Sequence, residues 1–260
     1  MGLLLAVDIG NTSTRAGVFD GDGLVTSFRY ATEPSLSADS IGLTLLGMLG
    51  LWGLGKDDLG AVAVCTVVPA TASRYAEMCE RHLDVPIRAV SAESSGVIVK
   101  YDPPWSVGAD RIADAVAAVE RVGAPVIVVD FGTATTINAV DAEGAYVGGA
   151  IGPGVEAALA ALYMRAAKLP MVDLRLPPQA LGTNTPDAIR SGMVYGLAGL
   201  VDGLVGRIRA EIGAEAPVLA TGGVAPLVAS ACETVSEVVD DLTLHGIRIL
   251  WERSGGVRGT

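Results

Sequence analysis

The chain has little of what most familiar catalytic machinery is built from. It has two histidines, His82 and His245, and neither stands in a recognisable motif, so imidazole-centred chemistry has almost nothing to work with. Its three cysteines, Cys65, Cys79 and Cys232, are odd in number and include no CxxC pair. That argues against a disulfide framework or a zinc site and suits a reducing, cytoplasmic setting. Aromatic residues make up 5% of 260, so a core must be built from Ala, Val, Leu and Ile; with 50% of the chain hydrophobic there is enough of them. Positive charge is scarce, and the formal net charge of −11 argues against a nucleic-acid partner, which needs a Lys- and Arg-rich surface. No basic leader precedes Asp8. The longest apolar run, between Asp39 and Lys56, falls short of the ~20 residues a membrane span requires. No membrane partner is expected, and that run reads as a core-facing helix over 37–52. A GxSxG elbow, a Walker loop and a Rossmann fingerprint are all missing.

What the chain does have is one phrase written twice. Ala6-Val7-Asp8-Ile9-Gly10-Asn11-Thr12-Ser13-Thr14 returns as Val128-Val129-Asp130-Phe131-Gly132-Thr133-Ala134-Thr135-Thr136. In this reading Asp8 and Asp130, Gly10 and Gly132, and Thr14 and Thr136 fall in register 122 residues apart, with a one-residue slip by Asp20 and Asp141. Each copy follows an apolar, strand-like run and opens a hairpin. Strands are expected over 3–7, 15–19, 24–30, 61–65 and 87–90, with helices over 37–52, 72–81 and 109–122. Strands over 125–129, 137–140, 146–150 and 217–220, and helices over 155–167, 185–212 (broken near Gly192–Gly199) and 225–231, repeat the plan. The halves divide near Gly123, into 1–122 and 123–260. A duplicated unit of this kind predicts an α/β protein of two similar domains with a nucleotide cleft between them, and its topology resembles the actin/hexokinase-like (ribonuclease H-like) fold.

An Asp at a strand end followed by a Gly turn rich in hydroxyls suits a metal–polyphosphate. Asp8 is a candidate ligand of Mg²⁺ through water, and Gly10, Asn11, Thr12 and Ser13 are candidates to wrap phosphate oxygens. The plain alternative, a hairpin turn whose Asp and Asn satisfy their own backbone, is weakened by the second copy. Asp130 reads as a cation ligand and Thr133 as a phosphate contact, because a carboxylate at a buried strand end is costly without a counter-charge and no Lys or Arg lies near in sequence. Gly108-Ala109-Asp110-Arg111 opens a helix after a Pro-rich loop. Asp110 there is either a simple cap or a base for a substrate hydroxyl, beside an arginine able to clasp a carboxylate. Gly148–Gly154 is either a loop that lets backbone approach a ligand or a tight strand–helix connection. Thr221-Gly222-Gly223 suits a nucleoside or phosphate contact but says little alone.

Taken together, Asp-Ile-Gly-Asn-Thr at 8–12, Gly-Ala-Asp-Arg at 108–111, Asp-Phe-Gly-Thr-Ala-Thr-Thr at 130–136 and Gly-Gly-Ala-Ile-Gly-Pro-Gly at 148–154 resemble the type III pantothenate kinases. Gly182-Thr183-Asn184-Thr185 and Thr221-Gly222-Gly223 continue the match in order. The resemblance implies ATP-dependent phosphorylation of pantothenate, the first step toward coenzyme A, with Asp110 as proton acceptor. It implies that Asp8, Ile9, Gly10, Asn11, Thr12, Ser13, Thr14, Arg15 and Thr133 bind ATP with Mg²⁺. Tyr101, Gly108, Ala109, Asp110, Arg111 and Thr185 would contact pantothenate, and Asp130 would hold K⁺ or NH₄⁺. It also implies a homodimer, with the 185–212 segment in its interface. The departures are small: Arg15 for Lys, Gly152 for Ala, and Cys65-Thr66 for Ser-Ser ahead of Val67-Val68. Two rivals stand beside this reading: a kinase of the same scaffold acting on a sugar or a carboxylate, and a nucleotide-binding regulator without catalysis.

Overall fold

The computed structural model describes residues 2–33, 35–66, 69–91, 96–166 and 169–255, with only the backbone of Pro69 and Ala70. Val67, Val68 and Ala167 lie outside the described residues. The chain forms two compact units, Met1–Ala117 with Asp241–Thr260, and Ala118–Asp240.

The first unit is built on β1 (Leu3–Ile9), β2 (Ser13–Asp20), β3 (Gly23–Ala31), β4 (Leu59–Thr66) and β5 (Ile87–Ala89), in the order β3-β2-β1-β4-β5. The hairpin pairs β1–β2 and β2–β3 are antiparallel, and β1–β4 and β4–β5 are parallel. Because strand side chains alternate, Leu5, Val7 and Ile9 of β1, Ala16 and Val18 of β2, and Val62 and Val64 of β4 share one face. That face forms a core with α1 (Ala38–Leu51) and α2 (Pro69–Met78), through Ile41, Leu45, Leu49, Tyr75 and Met78. The opposite face carries small residues, Ala6, Gly17, Ala63 and Cys65, together with Asp8 and Arg15. Small residues there admit close helices. The last helix, α7 (Leu242–Arg253), lies against β1, β2 and β4. A Cβ on its Gly246 would stand 2.0 Å from the Ala113 carbonyl oxygen, so α7 and α3 (Ala109–Val122) touch backbone to backbone.

The second unit repeats the scheme with β6 (Val126–Phe131), β7 (Ala134–Val140), β8 (Tyr146–Pro153), β9 (Val218–Thr221) and β10 (Glu237–Val238), ordered β10-β9-β6-β7-β8. Ile127, Val129, Phe131 and Ile137 form its core with Val201 and Val205 of α5 (Thr185–Ile212) and Val228 of α6 (Ala225–Ala229). α5 is unbroken over 28 residues despite its glycines. Each glycine costs a helix about 1 kcal/mol, and the buried stripe Val194, Ala198, Val201 and Val205 outweighs that by packing. Among the described residues α5 is the one helix long and apolar enough to cross a membrane by length and composition. Ala198, Val201 and Val205 of that stripe belong to the core of this unit, and its Asp202 carboxylate accepts from the Thr234 hydroxyl at 2.6 Å.

Candidate functional site

The first turn closes when the Gly10 N–H donates to the Ser13 carbonyl at 3.2 Å. A Cβ at position 10 would lie 3.0 Å from that same oxygen, which explains the glycine. Asn11 and Thr12 stand exposed at the tip. The next two residues point to opposite faces of β2. Thr14 is 1% exposed, and its hydroxyl lies 2.8 Å from that of Thr32. Arg15 donates to Asp241 Oδ1 at 2.9 Å, and Asp241 also accepts from Ser27 at 3.2 Å. The tip of the turn is thus open, with Asn11 and Thr12 exposed. Thr14 faces the α2 side of the sheet, and the Arg15 guanidinium is engaged by a carboxylate from the start of α7.

Asp8 is the last residue but one of β1 and lies directly beside Cys65 of the parallel strand β4. The Cys65 thiol is fully buried and pushed up first by desolvation, then by the charges of Asp8, Asp110 and Asp114 in that order. The charges of three carboxylates thus reach one buried sulfur, and Asp8 is its neighbour across the ladder. Two of them come from α3. The helix begins at Ala109, and the Gly108 carbonyl accepts from Arg111 N–H at 3.1 Å and Ile112 N–H at 3.3 Å. Asp110 Oδ1 also accepts from Arg111 N–H, at 2.8 Å. Asp110 is thus the second residue of the helix and not its cap, and its carboxylate bonds the neighbouring backbone N–H in the first turn. Arg111 is 8% exposed and Asp114, one turn on, is 2% exposed and accepts from the Thr243 hydroxyl of α7 at 2.7 Å. Asp114 escapes a sequence reading because it sits among alanines. Its i, i+4 relation to Asp110 is the signal that could have found it. Tyr101 sits half-buried in the segment ahead of this helix, which includes a short 3₁₀ turn, Pro104–Ser106.

The second turn holds its carboxylate between glycines. Asp130 is the last residue but one of β6 and lies beside Thr221 of β9. A Cβ at Gly222 would stand 2.4 Å from Asp130 Oδ1, and one at Gly132 3.3 Å from Oδ2. Gly222 also has φ +99, which an L side chain rarely adopts. The Thr221-Gly222-Gly223 phrase is thus part of the Asp130 site. On the same face Tyr146 donates to Asn138 Oδ1 at 3.0 Å, and Asn138 Nδ2 donates to Thr136 Oγ1 at 3.0 Å. Thr133 is exposed at the tip, and its carbonyl accepts from Gly154 N–H at 3.2 Å. This setting of carboxylate, carbonyl and hydroxyl oxygens matches hard cations, which take oxygen ligands. No group of three or more His, Cys, Asp or Glu able to hold a metal occurs among the described residues. Gly148–Gly152 and Pro153 belong to strand β8, so that segment is a tight strand–helix connection. A Cβ at Gly149 would overlap the Ile137 carbonyl at 1.7 Å, and one at Gly154 would stand 2.4 Å from the Gly132 and Thr133 oxygens.

Thr185 begins α5 on the rim of an open groove of about 570 Å³, lined by Leu162, Leu169, Thr183, Thr185, Ile189 and Met193. Asn184 caps the helix by accepting from Asp187 N–H at 2.9 Å, and Arg190 donates to Asp187 Oδ1 at 2.9 Å. The Asn184 amide, then the Arg190 guanidinium, hold the Asp187 carboxyl below its ordinary range. The histidines are structural: His82 lies 2.9 Å from Asp39, and His245 packs edge-on against Phe19 at 5.3 Å. All three cysteines are free, and burial pushes the Cys79 thiol up to about 12.

The comparisons with known proteins agree with one another. The sequence profile of type III pantothenate kinase matches residues 4–207. A type III pantothenate kinase of Rubrobacter xylanophilus is 46% identical over 256 residues, covering 96% of this chain and 97% of its own. A solved structure described as a Baf family transcriptional activator from Campylobacter jejuni superposes with TM-score 0.63 at 16% identity, covering 97% of this chain and 100% of that one. A solved structure described as an N-acetylglucosamine kinase from Porphyromonas gingivalis gives TM-score 0.52 at 13% identity, covering 99% and 100%. At such identities the two structures speak for the shared fold alone, which is that of the actin/hexokinase-like kinases.

Proposed function

Because the chain belongs to the type III pantothenate kinase family, we propose that it transfers the γ-phosphoryl group of ATP to a hydroxyl of pantothenate, with Asp110 accepting the proton. The observation that supports the residue assignment is the place of Asp8 beside Cys65, whose thiol also feels the charge of Asp110, so that the start of the repeated phrase and the start of α3 act on one buried group. Exposed Asn11 and Thr12, with Gly10 and Ser13, take phosphate oxygens through backbone N–H groups and hydroxyls, and Asp8 holds Mg²⁺ through water. Bound there, Mg²⁺ would offset the negative charge of the phosphates.

An alcohol is far less acidic than an aspartic acid, whose reference pKa is about 3.9. Asp110 therefore does not strip the proton in advance. In a loose phosphoryl-transfer transition state it aligns the hydroxyl oxygen and receives its proton as the bond to phosphorus forms. The Arg111 N–H fixes Oδ1, which orients the carboxylate so that Oδ2 meets the hydroxyl. Arg111 clasps the pantothenate carboxylate in bidentate fashion, with Tyr101 and the Gly108–Ala109 backbone beside it and Thr185 as a further contact. In the second unit Asp130 holds K⁺ or NH₄⁺, with the space left by Gly132 and Gly222 giving it access, and Thr133 reaches ATP. Bound there, the ion would supply fixed positive charge for the phosphates.

The protein acts as a homodimer, in this reading, through α5. Gly192, Gly196, Gly199, Gly203 and Gly206 alternate in steps of four and three along that helix, and a Cβ at four of them, all but Gly203, would meet nothing within 4 Å. Such a seam lets a second helix approach closely. Gly199→Glu should convert the dimer to monomer in light scattering; a monomeric parent chain overturns the assignment. Three free thiols fit a cytoplasmic setting.

A coupled assay tests the function. ADP release should require pantothenate and rise on adding K⁺ to desalted protein. ADP release driven by sugars but not by pantothenate would place the chain with another kinase. No turnover with either, joined to specific DNA binding, would place it among regulators.

A further inference from the structure

The turn at 10–13 rests on a chain of four hydroxyls. Tyr30 Oη lies 2.7 Å from Tyr75 Oη, the Tyr75 hydroxyl comes within reach of the Thr14 side chain, and Thr14 Oγ1 lies 2.8 Å from Thr32 Oγ1. Thr32 then grips the turn a second time, its N–H donating to the Thr12 carbonyl at 3.0 Å. Thr14 and Tyr75 are 1% and 2% exposed, so water does not replace a bond lost there. Burial pushes the Tyr75 hydroxyl up despite the Tyr30 and Thr14 hydroxyls beside it, so it stays protonated and links its neighbours. Tyr75 belongs to α2, so the relay joins that helix to the turn across the face of the sheet opposite Asp8. Among the described residues of the second unit, Thr135 instead donates to the Pro153 carbonyl, and Gly154 stands where Thr32 does.

We propose that Tyr75 and Thr32, acting through the Thr14 hydroxyl, are positioning residues for the phosphate-binding turn and set the affinity for ATP without affecting that for pantothenate. The inference rests on the assignment of that turn to ATP. A network that merely stabilised the fold would weaken both substrates together; a strut under one turn acts on the substrate that turn holds.

Tyr75→Phe keeps the ring in the core and deletes one hydroxyl, and Thr32→Val deletes another at constant shape. Each should weaken binding of a non-hydrolysable ATP analogue about five-fold, the worth of one buried hydrogen bond. The KM for ATP should rise by the same factor, with KM for pantothenate and kcat within about two-fold of the parent. Thr32→Ser restores the hydroxyl and should restore the affinity. Unchanged analogue affinity in Tyr75→Phe, or equal rises in both KM values, overturns the relay. Asn11→Ala, at the tip and outside the hydroxyl chain, separates the two failures. If it weakens the analogue while Tyr75→Phe does not, only the relay falls. If neither does, the assignment of the turn to ATP falls as well.

Discussion

In the first unit four residues, Gly10 to Ser13, separate the paired Ile9 and Thr14; in the second, three residues, Gly132 to Ala134, separate Phe131 and Thr135. One residue fewer moves every later correspondence by one. Thr14 therefore matches Thr135, not Thr136, and both are 1% exposed. Arg15 matches Thr136, since each lies opposite the turn's aspartate. The third strand tightens both turns from the same place. Thr32 N–H bonds the Thr12 carbonyl and Gly154 N–H bonds the Thr133 carbonyl. The first unit adds side-chain hydroxyls to that bond. The second has no room for them, because a Cβ at 154 would stand 2.4 Å from two carbonyl oxygens. The polar ladder of the second unit, Tyr146 to Thr136, instead runs on the face that carries Asp130. One ancestral-looking plan thus supports a turn braced by side chains on one side and a turn set by backbone on the other.

Four substitutions would break or sharpen that contrast. The largest effect belongs to the first unit: Asp110→Asn should lower kcat by about 10²–10⁴ with nucleotide affinity nearly unchanged, and full turnover would remove Asp110 from its role. Next, Asp130→Ala should abolish the response of the rate to K⁺. A potassium activation curve identical to that of the parent would detach the second turn from the ion. Gly222→Ala should cost about 3 kcal/mol in chemical denaturation, through strain at positive φ and collision with Asp130. A parent-like midpoint would show that the second turn yields after all. The smallest is Arg15→Ala. Loss of its partly exposed pair with Asp241 should cost about 0.5–1 kcal/mol, with KM for ATP changed less than about two-fold. A ten-fold rise in that KM would return Arg15 to the phosphates.

The strands and their order along the chain were legible because alternation of apolar residues carries that information locally. The repeated aspartates were legible for the same reason: each stands next to last in a buried strand. What stayed hidden depends on partners far away in sequence. The sequence offers Arg15 as a phosphate ligand and cannot show that Asp241, 226 positions later, pairs with it. The dropped residue in the second turn is invisible because Thr135 and Thr136 are identical letters. Gly148–Gly154 reads as a ligand loop because glycine marks close approach without saying to what. Here Gly149 and Gly154 approach neighbouring backbone. α5 reads as broken because propensity sees its glycines but not the sheet that its valines cover. Asp114 was overlooked because its partner, Thr243, arrives only with α7.

The return of the last helix to the first sheet has a consequence for the order of events on the ribosome. Nascent domains ordinarily fold as they emerge, the earlier before the later. Here Gly246, Leu244 and Thr243 fill places against Ala113, Gly17 and Asp114 that nothing earlier in the chain supplies. The second unit, whose sheet is contained within residues 126–238, can close first during translation, while the opening strands wait for α7 to be made.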